Sequence, residues 1–79
     1  MSAIEIKEFT KNELCNLYHI IEPTFDKWTK SLNLPEKHFH WEEIASEVDS
    51  TTISVRHKIY DEKYTIEEVK SIFQLVGNP

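Results

Sequence analysis

His38 and His40 stand two residues apart, a spacing that on a strand puts both imidazoles on one face where a metal could be held. No cysteine or third histidine lies at ligand spacing, and the acids nearby suit a solvated loop, so neither metal nor cofactor is expected. Cys15 has the chemistry of a nucleophile, yet it falls on the interior side of an apolar stripe with no base partner in sight. It reads as a small core residue. Trp28 and Trp41 could stack on bases, but at helical spacing among other apolar residues they are expected in the core. There is no glycine-rich phosphate loop, no nucleophile elbow and no carboxylate pair in a recognisable cleft. A binding protein rather than an enzyme is expected.

The cations are few and the acids are clustered. The chain has 79 residues, nine Lys and Arg against fourteen Asp and Glu, and a net charge of −5. Most of the excess lies in residues 35–49, where Lys37 faces Glu36, Glu42, Glu43, Glu47 and Asp49. Such a run either forms the wet face of a helix or imitates phosphate toward a basic partner. The length fits one domain, residues 1–79, with 39% hydrophobic residues to build a core. A single cysteine forms no internal disulfide and suits the reducing cytoplasm. No stretch approaches the roughly 18–20 apolar residues of a membrane span.

Thr10 and Glu13 have the spacing of a capping box, and Leu14, Leu17, Tyr18 and Ile21 follow as a core-facing stripe. Ahead of them, Ile4, Ile6 and Phe9 form an extended arm or an initial strand. Pro23 opens a second helix carrying Phe25, Trp28 and Leu32, closed by Asn33-Leu34-Pro35. A third helix is expected from about His40 to Val48, with Trp41, Ile44, Ala45 and Val48 on one stripe. In residues 51–60, Ile53, Val55 and Ile59 alternate with Ser54, Arg56 and Lys58. That favours a strand over a second, more basic reading helix bearing Arg56, His57 and Lys58. A last helix is capped by Thr65, carries Ile66, Val69, Ile72, Phe73 and Val76, and stops at Gly77.

The first two helices, separated by a turn around 19–22, have helix-turn-helix spacing. Cys15 supplies the small side chain needed where two steeply crossed helices approach, and Phe25 and Trp28 would lock the second helix on Leu14 and Tyr18. The outer face of that second helix, which in this motif enters a major groove, offers Glu22, Asp26, Lys27 and Lys30.

The runs Glu13-Leu14-Cys15-Asn16-Leu17-Tyr18 and Thr24-Phe25-Asp26-Lys27-Trp28 resemble the small helix-turn-helix proteins of Bacteroides-type bacteria, within the group of MerR-like regulators and phage excisionases. The ending Lys63-Tyr64-Thr65-Ile66-Glu67-Glu68-Val69 through Ile72-Phe73 and Gly77-Asn78-Pro79 resembles the same family. Together the matches cover about half the chain. The resemblance implies a mainly α fold of about four helices with a small β wing, of winged-helix type, binding double-stranded DNA. It implies contact roles for Thr24, Asp26, Lys27 and Lys30, and a wing role for Arg56 and Lys58, which Lys63 would join. The family's turn carries Gly where this chain has His19, which reaches the left-handed region at a cost relative to Gly. The expected function is a transcriptional regulator or an excisionase-like recombination accessory, dimeric or filamentous because one copy has few cations. The alternative is a protein-interaction module on the same scaffold, meeting a basic partner through Glu42–Asp49.

Overall fold

A computed structural model, which describes residues 5–48 and 50–79, contains α1 (Lys11–Tyr18), α2 (Glu22–Thr29) and a 3-10 turn (Lys30–Leu32). β1 (Phe39–Val48), β2 (Thr51–Tyr60) and α3 (Ile66–Val76) follow. The expected arm lies partly outside the described residues. Its last residue, Phe9, pairs with Tyr64 as an isolated antiparallel bridge, the Tyr64 N–H donating to the Phe9 carbonyl at 2.7 Å.

Local chemistry starts α1 and α3 in the same way. The Thr10 hydroxyl accepts from the Glu13 N–H while the Glu13 carboxylate accepts from the Thr10 N–H, at 3.2 and 2.9 Å. Thr65 and Glu68 repeat the box at 3.2 and 2.8 Å. Each box satisfies backbone N–H groups that a helix start otherwise leaves unpaired. α1 ends at His19, which takes the left-handed conformation at φ 56°, and its N–H returns to the carbonyls of Cys15 and Asn16. Residues 19–21 then turn the chain into α2, with Pro23 in its first turn. The spacing implied two helices with a short connection here, and α1 and α2 are joined in that way.

Phe9, Leu14, Cys15, Phe25, Tyr64, Val69, Ile72 and Phe73 form the core, with Leu17, Tyr18, Ile20, Leu32, Leu34 and Val76 packed around it. Ile21 is not among them. It is 67% exposed, because the helix stops at Tyr18 and Ile21 serves as the N-cap of α2 instead of continuing the stripe. Trp28 and Trp41 are also outside the core, 42% and 52% exposed. Trp28 lies edge-on to Tyr18, at 6.2 Å between ring centroids, on the rim of the helical head.

The larger correction concerns fold class. The chain is mixed α and β, not mainly α with four helices: the described residues hold three α-helices and a two-stranded antiparallel sheet. The helix expected over His40–Val48 is β1, paired residue for residue with β2 from Phe39↔Tyr60 to Val48↔Thr51. Its apolar residues fit a helical period, but a helical stripe needs a core to face, and the head is already filled. The expected strand at 51–60 also requires a partner for its backbone N–H and C=O groups. The segment just before it, two residues away, supplies one at the lowest loop-closure cost.

Ten-residue strands are about 33 Å long, so the hairpin projects well beyond the head. The radius of gyration is 14.9 Å, against about 12 Å for a compact domain of this length. Alternation divides the ribbon into two faces. An aromatic face carries Phe39, Trp41, Glu43 and Glu47 opposite Tyr60, Lys58, Arg56 and Thr52. An aliphatic face carries His40, Glu42 and Ile44 opposite Ile59, His57 and Val55, with Ile53 two residues further toward the tip. The acids expected on one helix face therefore diverge to both sides of a strand. Asp49 lies outside the described residues.

Candidate nucleic-acid interface

The base of the hairpin meets the start of α1 and α2 in a dense polar network. Lys11 places its ammonium 2.5 Å from Asp26 and 3.3 Å from Glu22. Glu22 also accepts from the Tyr60 hydroxyl and pairs with Lys58 at 3.4 Å. The Asn12 carboxamide donates to the Lys58 carbonyl at 3.0 Å and accepts from the Tyr60 N–H at 2.7 Å. Burial disfavours the Lys11 charge, but the Asp26 carboxylate outweighs it and holds the ammonium above the ordinary lysine pKa. Burial likewise opposes the Glu22 charge, and the bonds from Tyr60 and Lys11 overcome it, lowering the carboxyl pKa.

This network decides which of the expected contact residues are available to a polyanion. Asp26 is an intramolecular ligand of Lys11, so its charge is offset within the protein. Lys58 is bound to Glu22, its ammonium 4.0 Å from the centre of the Phe39 ring, and it anchors the hairpin. Thr24 is half-buried. Lys27 and Lys30 are exposed and, among the described residues, have no carboxylate partner. Arg56 is exposed two residues outward from Lys58 on the aromatic face, its guanidinium 5.1 Å from the centre of the Trp41 ring. Lys63 is exposed in the loop before α3 and acts, with Lys7, on Glu13 at the start of α1. The fold thus keeps Lys27 and Lys30 on one exposed helical segment with Arg56 along the adjoining ribbon, and leaves Lys63 apart from them.

Lys11, Asn12, Glu22 and Tyr60 carry this arrangement, and neither helix periodicity nor motif spacing singles them out as a set. Their bonds join positions from 11 to 49 residues apart, and the one local sign is an asparagine, a poor helix former, inside the first turn of α1. Lys11, Glu22 and Tyr60 border a polar cleft of about 350 Å³ that also reaches Lys30 and Lys37. The Lys37 ammonium is itself engaged, 3.0 Å from Glu68 and 3.8 Å from Glu62.

His38 and His40 both turn Nδ1 to Asp61, at 3.1 and 2.8 Å, and His40 Nε2 lies 2.6 Å from Glu42. Both nitrogens of His40 and Nδ1 of His38 are engaged by carboxylates at the hairpin base, and among the described residues no group of three or more His, Cys, Asp or Glu is arranged to hold a metal ion. Burial pushes the Cys15 thiol pKa up to about 11, which makes it a packing residue. No described helix is long and apolar enough to cross a membrane. No protein-family model, curated protein or solved structure matches the chain.

Proposed function

We propose that this protein binds double-stranded DNA, presenting α2 and the following 3-10 turn to a major groove and the aromatic face of the hairpin to the flanking backbone. One observation carries the reading. The two acids on the DNA-facing helix, Glu22 and Asp26, are neutralised by Lys11 and Lys58, while Lys27 and Lys30 beside them remain exposed and unpaired among the described residues. Net charge alone argues against a polyanion partner. Local charge at the helix argues for one, because internal pairing removes the acids that would repel phosphate.

Role within the cell follows the resemblance noted above: a transcriptional regulator or an excisionase-like accessory in recombination, acting by binding and without catalysis. The test is fluorescence anisotropy with random-sequence duplex at two salt concentrations. Phosphate contacts from Lys27, Lys30 and Arg56 would lower affinity roughly 40-fold between 50 and 200 mM salt. The double variant Lys27→Glu, Arg56→Glu should lose binding while keeping its circular dichroism. Unchanged affinity in that variant, or no binding at low salt, refutes the proposal.

A second reading rests on β1. Glu42, Glu43 and Glu47 stand exposed along one projecting strand, and Glu43 and Glu47 share the face of Arg56. That acidic strand fits a basic protein partner. Glu43→Lys with Glu47→Lys separates the two, since it strengthens DNA binding and abolishes capture of a basic protein.

A further inference from the structure

We propose that the aliphatic face of the hairpin is covered by a second copy of this chain, the two ribbons stacking face to face about a two-fold axis parallel to the strands. The face is open because the head lies on the other side. Tyr60 and Lys58, which fasten the ribbon to α2 through Glu22, both belong to the aromatic face. Ile44, Ile53 and Val55 are 48%, 45% and 44% exposed on a ribbon that nothing else in the described chain covers. A two-stranded ribbon alone is marginal in water, and three or four strands with a shared apolar side are not.

The register identifies the occupant. Ile44 stands opposite Val55, and Glu42 opposite His57. Rotation about an axis along the strands lays each β1 over the β2 of the other copy. Ile44 then meets Val55 of the second copy, and Glu42 meets its His57. No like charges come together. The aromatic faces turn outward, so the two heads lie on opposite sides of a stack about 10 Å thick. A highly charged partner would find a single acid and two histidines to pair with on this side. Against a copy of the same surface, Ile44 meets Val55, and His40 lies over Ile59. Glu42 brings its carboxylate, already 2.6 Å from His40 of its own chain, over His57. Six or so half-exposed side chains from each copy bury about 1,000 Å² in total, the lower limit of a specific interface, so a weak, reversible dimer is expected.

The inference stands apart from the DNA reading, and its test contains no DNA. Sedimentation equilibrium of the full chain should show a concentration-dependent dimer, and NMR dilution should shift the amides around Ile44, Ile53 and Val55. Ile44→Lys and Val55→Glu, both at exposed positions, should each weaken dimerisation at least about tenfold. Mixing these two variants should restore a heterodimer, because one of the two Ile44–Val55 contacts becomes a Lys–Glu pair and the other stays native. Arg56→Glu, on the opposite face, should leave dimerisation unchanged. A monomer throughout the accessible concentration range overturns the proposal. So do dilution shifts centred on Trp41, or a mixture that stays monomeric while both variants keep the native spectrum of the head.

Discussion

Asn12 acts as a substitute strand for Tyr60: its carboxamide oxygen accepts the Tyr60 N–H at 2.7 Å, and its nitrogen donates to the Lys58 carbonyl at 3.0 Å. A helix side chain thereby completes the hydrogen bonding of a β-edge, and the hairpin's base is tied to α1 through backbone atoms that substitution in β2 leaves in place.

Asn12→Ala should therefore loosen the hairpin from the head. Two partly buried bonds at about 0.5–1.5 kcal/mol each imply a loss of about 1–3 kcal/mol. Urea unfolding measures it, and hydrogen exchange should show the largest increase at the Tyr60 amide. A loss under about 0.5 kcal/mol would mean that water replaces the carboxamide without cost.

His19 holds a left-handed conformation at φ 56° and is exposed, so its side chain contributes little that the backbone strain offsets. His19→Gly should raise stability by about 0.5–1 kcal/mol, the relief of strain exceeding the added freedom of the unfolded chain. His19→Val should lower it by about 1–2 kcal/mol, since a β-branched residue fits that region worst. Thermal denaturation of the pair checks the order.

Stability should fall toward both acid and alkali. The Glu22 carboxyl is lowered from its ordinary 4.5, burial being outweighed by Tyr60 and Lys11, so its contribution is present above that pH and is lost as pH falls through the depressed value. His40 is raised from 6.5 by its bonds to Asp61 and Glu42, so its contribution is present below that pH and is lost as pH rises through the raised value. The highest stability from these two groups lies between. In a pH series of urea midpoints, Glu22→Gln should flatten the acid limb and His40→Gln the alkaline one.

Cys15 is 8% exposed, and its thiol is pushed up to about 11 by burial. A thiol-reactive dye at pH 8 should label the unfolded chain at once and the native chain only at the rate of opening. Cys15→Leu should destabilise by about 1–3 kcal/mol, because the packed core at the α1–α2 crossing has no room for the added methylenes. Prompt native labelling would show that the crossing is open.

The starts of α1 and α3 and the strand at 51–60 follow from the sequence alone. Capping boxes and β-alternation act over a few positions, so their energetics are complete within the segment that carries them. Tertiary structure decided the rest. Trp41, Ile44, Ala45 and Val48 fit a helical period, and only pairing with β2 makes them a strand. Trp28 and Trp41 have the hydrophobicity of core residues, but burial depends on what lies above a surface, and the head was filled without them. Lys58 and Lys27 look alike in the sequence. One is taken by Glu22, 36 positions away, and the other is left to solvent. Charge pairing across the fold, which no local pattern encodes, determined which cations a ligand can meet.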